Sequence, residues 1–358
     1  MAVSNTESFE DVVKTRREEN FAEFSSETHG LLGRFHHALH TTPALVPLIV
    51  LVSAIAVFGI ALGSKFFSPF ALTLILQQVQ IVGVLAAAQS LVILTAGIDL
   101  SVGALAVLSS VIMGQMTFRY GIPPFLAVVI GLAFGTAIGA VNGWLVSRVK
   151  LPPFIVTLGM WQILLAANYL YSANETIRAQ DIEADAPFLQ FLGTKVQMAG
   201  ATFTLGVFLM IVLILGLAYA LRSTAWGRHV YAVGDDPEAA QLSGVNVHRT
   251  LMSVYMVVGF ICALAGWVMI GRFGSVSPSA TTGVIGNIQS ITAVVIGGIS
   301  LFGGRGSIAG SFFGALIVGV FELGLRMAGA DPQWTYLLIG LLIIAAVTVD
   351  QWIRKVTA

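Results

Sequence analysis

The chain has 358 residues, 56% of them hydrophobic and only 10% charged, with 18 basic residues balanced by 18 acidic ones and a mean hydropathy of +0.88. A soluble domain carries roughly a quarter charged residues, so an ordinary soluble fold is excluded, and the zero net charge leaves no footprint for nucleic acid. The single cysteine, Cys262, excludes an intrachain disulfide, and no metal centre of Cys and His can be assembled from it.

Residues 1–42 hold Glu7, Glu10, Asp11, Glu18, Glu19, Glu23 and Glu27, interspersed with Lys14, Arg16, Arg17 and Arg34. A cleavable signal peptide begins basic and turns apolar early. This start does neither, so it reads as a cytoplasmic, partly helical acidic tail leading into an uncleaved first span. Residues 43–358 then form the membrane domain. Apolar runs follow near 44–63, 70–95, 101–117, 123–146, 153–171, 201–221, 250–271, 285–302, 306–327 and 334–350. Most approach the ~20 residues that cross a bilayer as a helix, about twice a barrel strand. In lipid each run must satisfy its own backbone. The fold class is therefore an all-α membrane protein with about ten transmembrane helices.

Basic residues fix the orientation, because they collect in cytoplasmic loops. With the N-terminus inside, Arg148, Lys150, Arg222, Arg228, Arg249, Arg305, Arg354, Lys355 and the four basic residues of the tail face the cytoplasm, 12 in all, against 6 outside. Both termini are then cytoplasmic. Residues 172–200 form a long outside loop with Glu175, Asp181, Glu183 and Asp185, and residues 222–249 a long inside loop. Four spans after the first helix and four after the inside loop fit an inverted repeat of the kind common in transporters. Gly131, Gly135, Gly139 and Gly143 recur every four residues, as do Gly310 and Gly314, and lay small-residue stripes for close helix approach.

Polar side chains within spans are costly unless they face protein or water. The second span carries Gln77, Gln78, Gln80 and Gln89, the eighth Asn287, Gln289, Ser290 and Thr292, and the fourth and fifth add Asn142 and Gln162. Amides and hydroxyls without buried charge suit a neutral, hydroxyl-rich solute. Gln77, Gln78, Gln89, Asn142, Asn287, Gln289 and Ser290 are the candidate path, with interhelical hydrogen bonding as the competing reading. Asp99, with Ser101, reads as the cap of the third span or as a gate. Glu322 stands four residues before Arg326, the spacing of a local ion pair. A proton-coupled carrier would carry more intramembrane carboxylates or histidines, and no nucleophile–base pair points to an enzyme.

The inside loop contains Asp235-Asp236-Pro237-Glu238-Ala239-Ala240-Gln241-Leu242-Ser243-Gly244. Asp236 or Asp235 can cap a helix with Pro237 in its first turn, Glu238 sits at its positive end, and Gly244 ends it. The spacing predicts a short exposed helix of about two turns, with Ala239 and Ala240 small enough for close approach to a partner.

The Glu238-Ala239-Ala240…Gly244 pattern resembles the coupling loop of ABC-importer permeases. The segments Gly97-Ile98-Asp99-Leu100-Ser101-Val102-Gly103, Lys150-Leu151-Pro152-Pro153-Phe154-Ile155-Val156-Thr157-Leu158-Gly159 and Gly297-Gly298-Ile299-Ser300-Leu301-Phe302-Gly303-Gly304-Arg305-Gly306-Ser307 resemble the ribose, xylose and fructose permeases. The start Met1-Ala2-Val3-Ser4 and the run from Thr335 to Val356 are most similar to the fructose members. The resemblance implies a type II ABC-importer-like permease, homodimeric in the bacterial inner membrane. It also implies a periplasmic sugar-binding protein and a cytosolic ATP-binding subunit. ATP and Mg belong to that subunit, since this chain lacks a phosphate-binding Gly-x-x-x-x-Gly-Lys-Ser/Thr loop. No cofactor or metal is expected in the chain itself. The task that the resemblance implies is transport of a monosaccharide, fructose or a ribose-like sugar. The alternatives are a nucleoside or autoinducer sugar as solute, or an ion-coupled carrier.

Overall fold

The computed structural model describes residues 44–357, so the predicted acidic tail and its Met1–Ser4 start lie outside the described residues. Five helices come first, α1 (Leu45–Leu62), α2 (Pro69–Leu94), α3 (Val102–Phe118), α4 (Pro124–Ser147) and α5 (Pro153–Ser172). A small extramembranous set follows: α6 (Ala179–Asp185), a 3-10 segment at Pro187–Gly193, and an antiparallel hairpin of β1 (Lys195–Met198) and β2 (Ala201–Thr204). Then come α7 (Leu205–Ser223), α8 (Ala225–Asp235), α9 (Pro237–Leu242), α10 (Val247–Phe273), α11 (Ala280–Ile296), α12 (Ile308–Met327) and α13 (Pro332–Thr357). Seven of these helices are long and apolar enough to cross a membrane, and α3, α11 and the 333–348 stretch of α13 are shorter apolar helices. Together they match the ten predicted spans.

The helix starts have local causes. Ser68 accepts from the Ala71 amide at 3.2 Å ahead of Pro69, Ser307 accepts from Gly310 N at 3.2 Å, and Asn246 accepts from Arg249 N at 2.9 Å. Pro124 and Pro153 each open a helix where no amide is needed. Two boundaries differ from the sequence reading. The run from 201 begins as a strand, because its first residues pair with 195–198. The run read as 285–302 is a helix from Ala280 to Ile296: Ser279 caps it from Thr282 N, and Gly298, at φ 78°, turns the chain out afterwards.

Lipid-facing and core helices separate clearly. Ile60 is 87% exposed on α1 and Leu170 83% on α5, apolar positions of the kind a membrane span presents outward. The second half of α2, α3 as far as Gln115, and α10 form the buried centre. Here α2 packs against α10, α11 and α12, while α10 packs against α2, α3 and α4. Likewise α5 lies on α3 and α4, and α13 on α11 and α12. Exchanging α2–α5 with α10–α13 preserves this pattern, as an inverted repeat requires.

The bundle has two unlike ends. At one, Gln190 donates to Gly274 O at 2.7 Å, Ile177 bridges Val276, and the hairpin joins α2 through Thr202 N and Thr73 Oγ1. At the other, Trp226 of α8 donates to Ser253 Oγ near the start of α10 at 2.8 Å. At 17 residues each, α3 and α11 are only about 25 Å long at ~1.5 Å per residue, short of a ~30 Å hydrocarbon core. Their first turns meet inside the bundle, where a Cβ on Gly103 would strike the Gly283 carbonyl.

The glycine stripe of α4 serves packing. Cβ atoms on Gly135 and Gly139 would run into the backbone of Gly259 and Tyr255 on α10. A Cβ on Gly314 would likewise strike the Ala293 carbonyl, so α12 lies equally close to α11.

Candidate functional site

At the α8–α9 end, Asp236 Oδ1 accepts from Glu238 N at 2.9 Å and Ala239 N at 3.0 Å, with Pro237 in the first turn. The predicted short helix is therefore present as α9, and Gly244 follows it at φ 87°. Only glycine takes that conformation without strain. Glu238 and Ala239 are exposed, but Ala240 is buried at 5%. The expectation that Ala240 faces a partner is corrected: it attaches the helix to the bundle. Leu242, 90% exposed, is the apolar group this helix presents. Sequence reading passed over it because a leucine is ordinarily inward.

Sequence reading also missed α8, whose local signals are weak: Thr224 caps it through Gly227 N at 3.2 Å. Tyr231 on α8 donates to Gly306 O at 2.9 Å, and burial pushes its phenol pKa above the usual range. The helix thus grips the α11–α12 turn.

The second cluster lies where the chain breaks between α2 and α3. Asp99, 2% exposed, accepts at Oδ1 from Ser101 N at 2.7 Å and from Ser101 Oγ at 2.6 Å. The residue in the cap position of α3 is Ser101, and its side chain makes no capping bond. Asp99 therefore is not the cap that sequence reading placed there; it holds the turn before the helix. Asn142 Nδ2 donates to Ser101 Oγ at 3.3 Å, and Asn287 Nδ2 donates to Leu100 O at 3.0 Å. The Oδ1 atoms of Asn142 and Asn287 have no partner among the described residues. Four predicted residues from three segments thus converge here: Asp99 and Ser101 of the turn, Asn142 of α4 and Asn287 of α11.

A third cluster lies toward the hairpin end. Gln78 Nε2 donates to Glu322 Oε2 at 3.0 Å, Gln289 Nε2 donates to the same oxygen at 3.2 Å, and Arg326 Nη2 donates to Glu322 Oε1 at 2.9 Å. The predicted ion pair is present, joined by two of the predicted amides. All four side chains line a cavity of about 520 Å³, within the roughly 300–1,000 Å³ of small-molecule sites. Isoleucines 81, 285, 288 and 339 supply its apolar wall.

The remaining predicted path residues do not join this cavity. Gln77 contributes its carbonyl, which accepts from Arg272 Nε at 3.2 Å and from Gln80 Nε2 at 3.3 Å. Ser290 bonds back to Asn287 O at 2.8 Å within its own helix. Gln89 is fully buried, and neither amide atom has a partner among the described residues.

A helical bundle with a largely apolar cavity holding a few polar groups toward one end, and a capped, exposed helix at the other, has the anatomy of a transport permease. The profile of the family described as "Branched-chain amino acid transport system / permease component" matches residues 71–347, and the chain belongs to that family. It is a multi-pass protein of the inner membrane. It is 68% identical over 337 residues, 94% of this chain and 93% of the relative, to the fructose import permease protein FrcC of Rhizobium meliloti. It is also 34% identical to the ribose import permease protein RbsC of Escherichia coli strain K12, over 86% of this chain and 92% of that one. The xylose transport system permease protein XylH of the same strain is 33% identical, over 78% and 84%. No solved structure matches the chain.

Proposed function

We propose that this chain is the membrane-spanning subunit of an ATP-driven importer for a neutral monosaccharide, with fructose the first candidate and a ribose-like sugar the second. The observation that carries this reading is the 68% identity to a fructose import permease across 94% of the chain. The geometry agrees with it. The cavity at Gln78, Gln289 and Glu322 pairs an apolar wall with a few polar groups, the make-up of small-molecule sites.

In this reading the α8–α9 end faces the cytosol and meets an ATP-binding subunit that holds ATP and Mg. Arg228 on α8, Arg249 on α10 and Arg305 between α11 and α12 belong to that end, in keeping with the positive-inside rule. The hairpin end, with Glu175, Asp181, Glu183 and Asp185 exposed, faces the periplasm and receives the sugar from a binding protein. The working unit is a homodimer. Loaded binding protein and ATP each favour one of two conformations, which is how binding energy moves a population. The test is sugar uptake by vesicles that contain this chain together with both partners.

A further inference from the structure

Glu322 is placed to do more than pair with Arg326. An exposed i,i+4 ion pair adds little stability, and Arg326 is 69% exposed in this one. The Glu322 side chain is only 21% exposed, however. One of its oxygens goes to Arg326, and the other collects Gln78 of α2 and Gln289 of α11. A glutamine amide offers a donor end and an acceptor end, and an ionised carboxylate accepts only. Both nitrogens must therefore turn toward Glu322. Gln289 Oε1 is met by Gln78 Nε2 at the long distance of 3.4 Å, and Gln78 Oε1 takes part in none of these bonds.

We infer that Glu322 is a positioning residue for the solute. It holds the Gln78 and Gln289 amides with their oxygens available to the cavity, while Arg326 neutralises its own charge. The cavity then accepts hydrogen bonds from the hydroxyls of a neutral polyol and carries no net charge to attract a sugar acid or a sugar phosphate. This inference rests on the sugar-import reading above.

The test uses the full chain reconstituted with its ATP-binding subunit and binding protein, with labelled fructose as probe. The ratio of sugar moved to ATP hydrolysed is measured. Glu322→Gln replaces the acceptor-only group by an amide, and hydrogen bonds to charged groups are the stronger kind. The expected result is a fall of about tenfold in that ratio, the equivalent of one such bond. ATP turnover stimulated by loaded binding protein stays near wild type, because the α8–α9 end is untouched. Glu322→Asp lies between, and the swap Gln78→Glu with Glu322→Gln recovers much of the ratio by restoring one carboxylate among amides. A merely structural role would lower stimulated ATP turnover and uptake together and would not be rescued by the swap. If Glu322→Gln does not insert, Gln289→Leu must lower the same ratio, because it deletes one positioned amide and leaves the others bonded. An unchanged ratio in the inserted variants overturns the inference alone. A wild-type protein that moves no sugar with both partners present overturns the import reading as well.

Discussion

The backbone amide of Gly304 donates to the carbonyl of Leu94 at 3.0 Å, tying the α11–α12 turn to the last turn of α2. Gly234 of α8 enters the same joint. A Cβ there would overlap the Leu94 carbonyl and lie 2.8 Å from the Gly304 amide. Gly303 and Gly304 take φ of 82° and 69°, conformations that disfavour other residues. One small joint therefore connects α8 to both halves of the inverted repeat, a short distance in sequence from the Asp99 turn. Gly234→Ala pushes these backbones apart. The expected outcome is a protein that still inserts and still co-elutes with its ATP-binding subunit, with a severalfold drop in sugar moved per ATP. An unaltered ratio would assign the transmission of motion to another contact.

Leu242 tests the docking surface. It is 90% exposed on a helix fixed by the Asp236 cap and by buried Ala240. Leu242→Asp removes an apolar contact and places a charge where a partner would cover it, while no packing within this chain is lost. Co-elution of the ATP-binding subunit should fall by tenfold or more, about 1.4 kcal/mol, with an unchanged melting temperature in detergent. Asp236→Ala should weaken the same association through the helix, since a lost cap costs about 1 kcal/mol. Full co-elution of Leu242→Asp would make that leucine an ordinary surface residue.

Gln89 separates stability from transport. Its amide is fully buried with no hydrogen-bond partner among the described residues, a condition that costs about 1–3 kcal/mol. Gln89→Leu keeps a similar volume and removes the orphaned groups. Thermal stability in detergent should rise. Uptake should fall if another conformation exposes this amide to the solute. Higher stability with normal uptake would return Gln89 to a packing role.

Much of this fold was legible in the sequence because lipid imposes simple rules. Long apolar runs located the ten helices, and Pro237 marked the start of α9. Asp236 and Gly244 gave both ends of α9 through capping chemistry that acts over a few residues. The run at 101–117 located α3 to within a residue, whereas the bounds of α11 were harder to read. The breaks at these helices are held by distant partners such as Asn287 on Leu100, 187 positions apart, and no local signal records such a contact. Glu322 shows the same limit. Arg326, four residues on, was visible, but Gln78, 244 positions away, could be joined to it only by the packing of α2 on α12. Single amides therefore suggested a path, and tertiary structure sorted them: Gln78 and Gln289 line the cavity, Asn142 and Asn287 lie at the break, and Gln77 contributes backbone alone.

ATP-driven import of a neutral monosaccharide through this chain is measured by uptake in a reconstituted system. The chain, its ATP-binding subunit and its binding protein are assembled in vesicles and supplied with a panel of labelled sugars. The expected result is accumulation of fructose or of a ribose-like sugar that requires ATP and both partners and persists when ion gradients are collapsed. Uptake that follows a proton or sodium gradient and ignores ATP would contradict it.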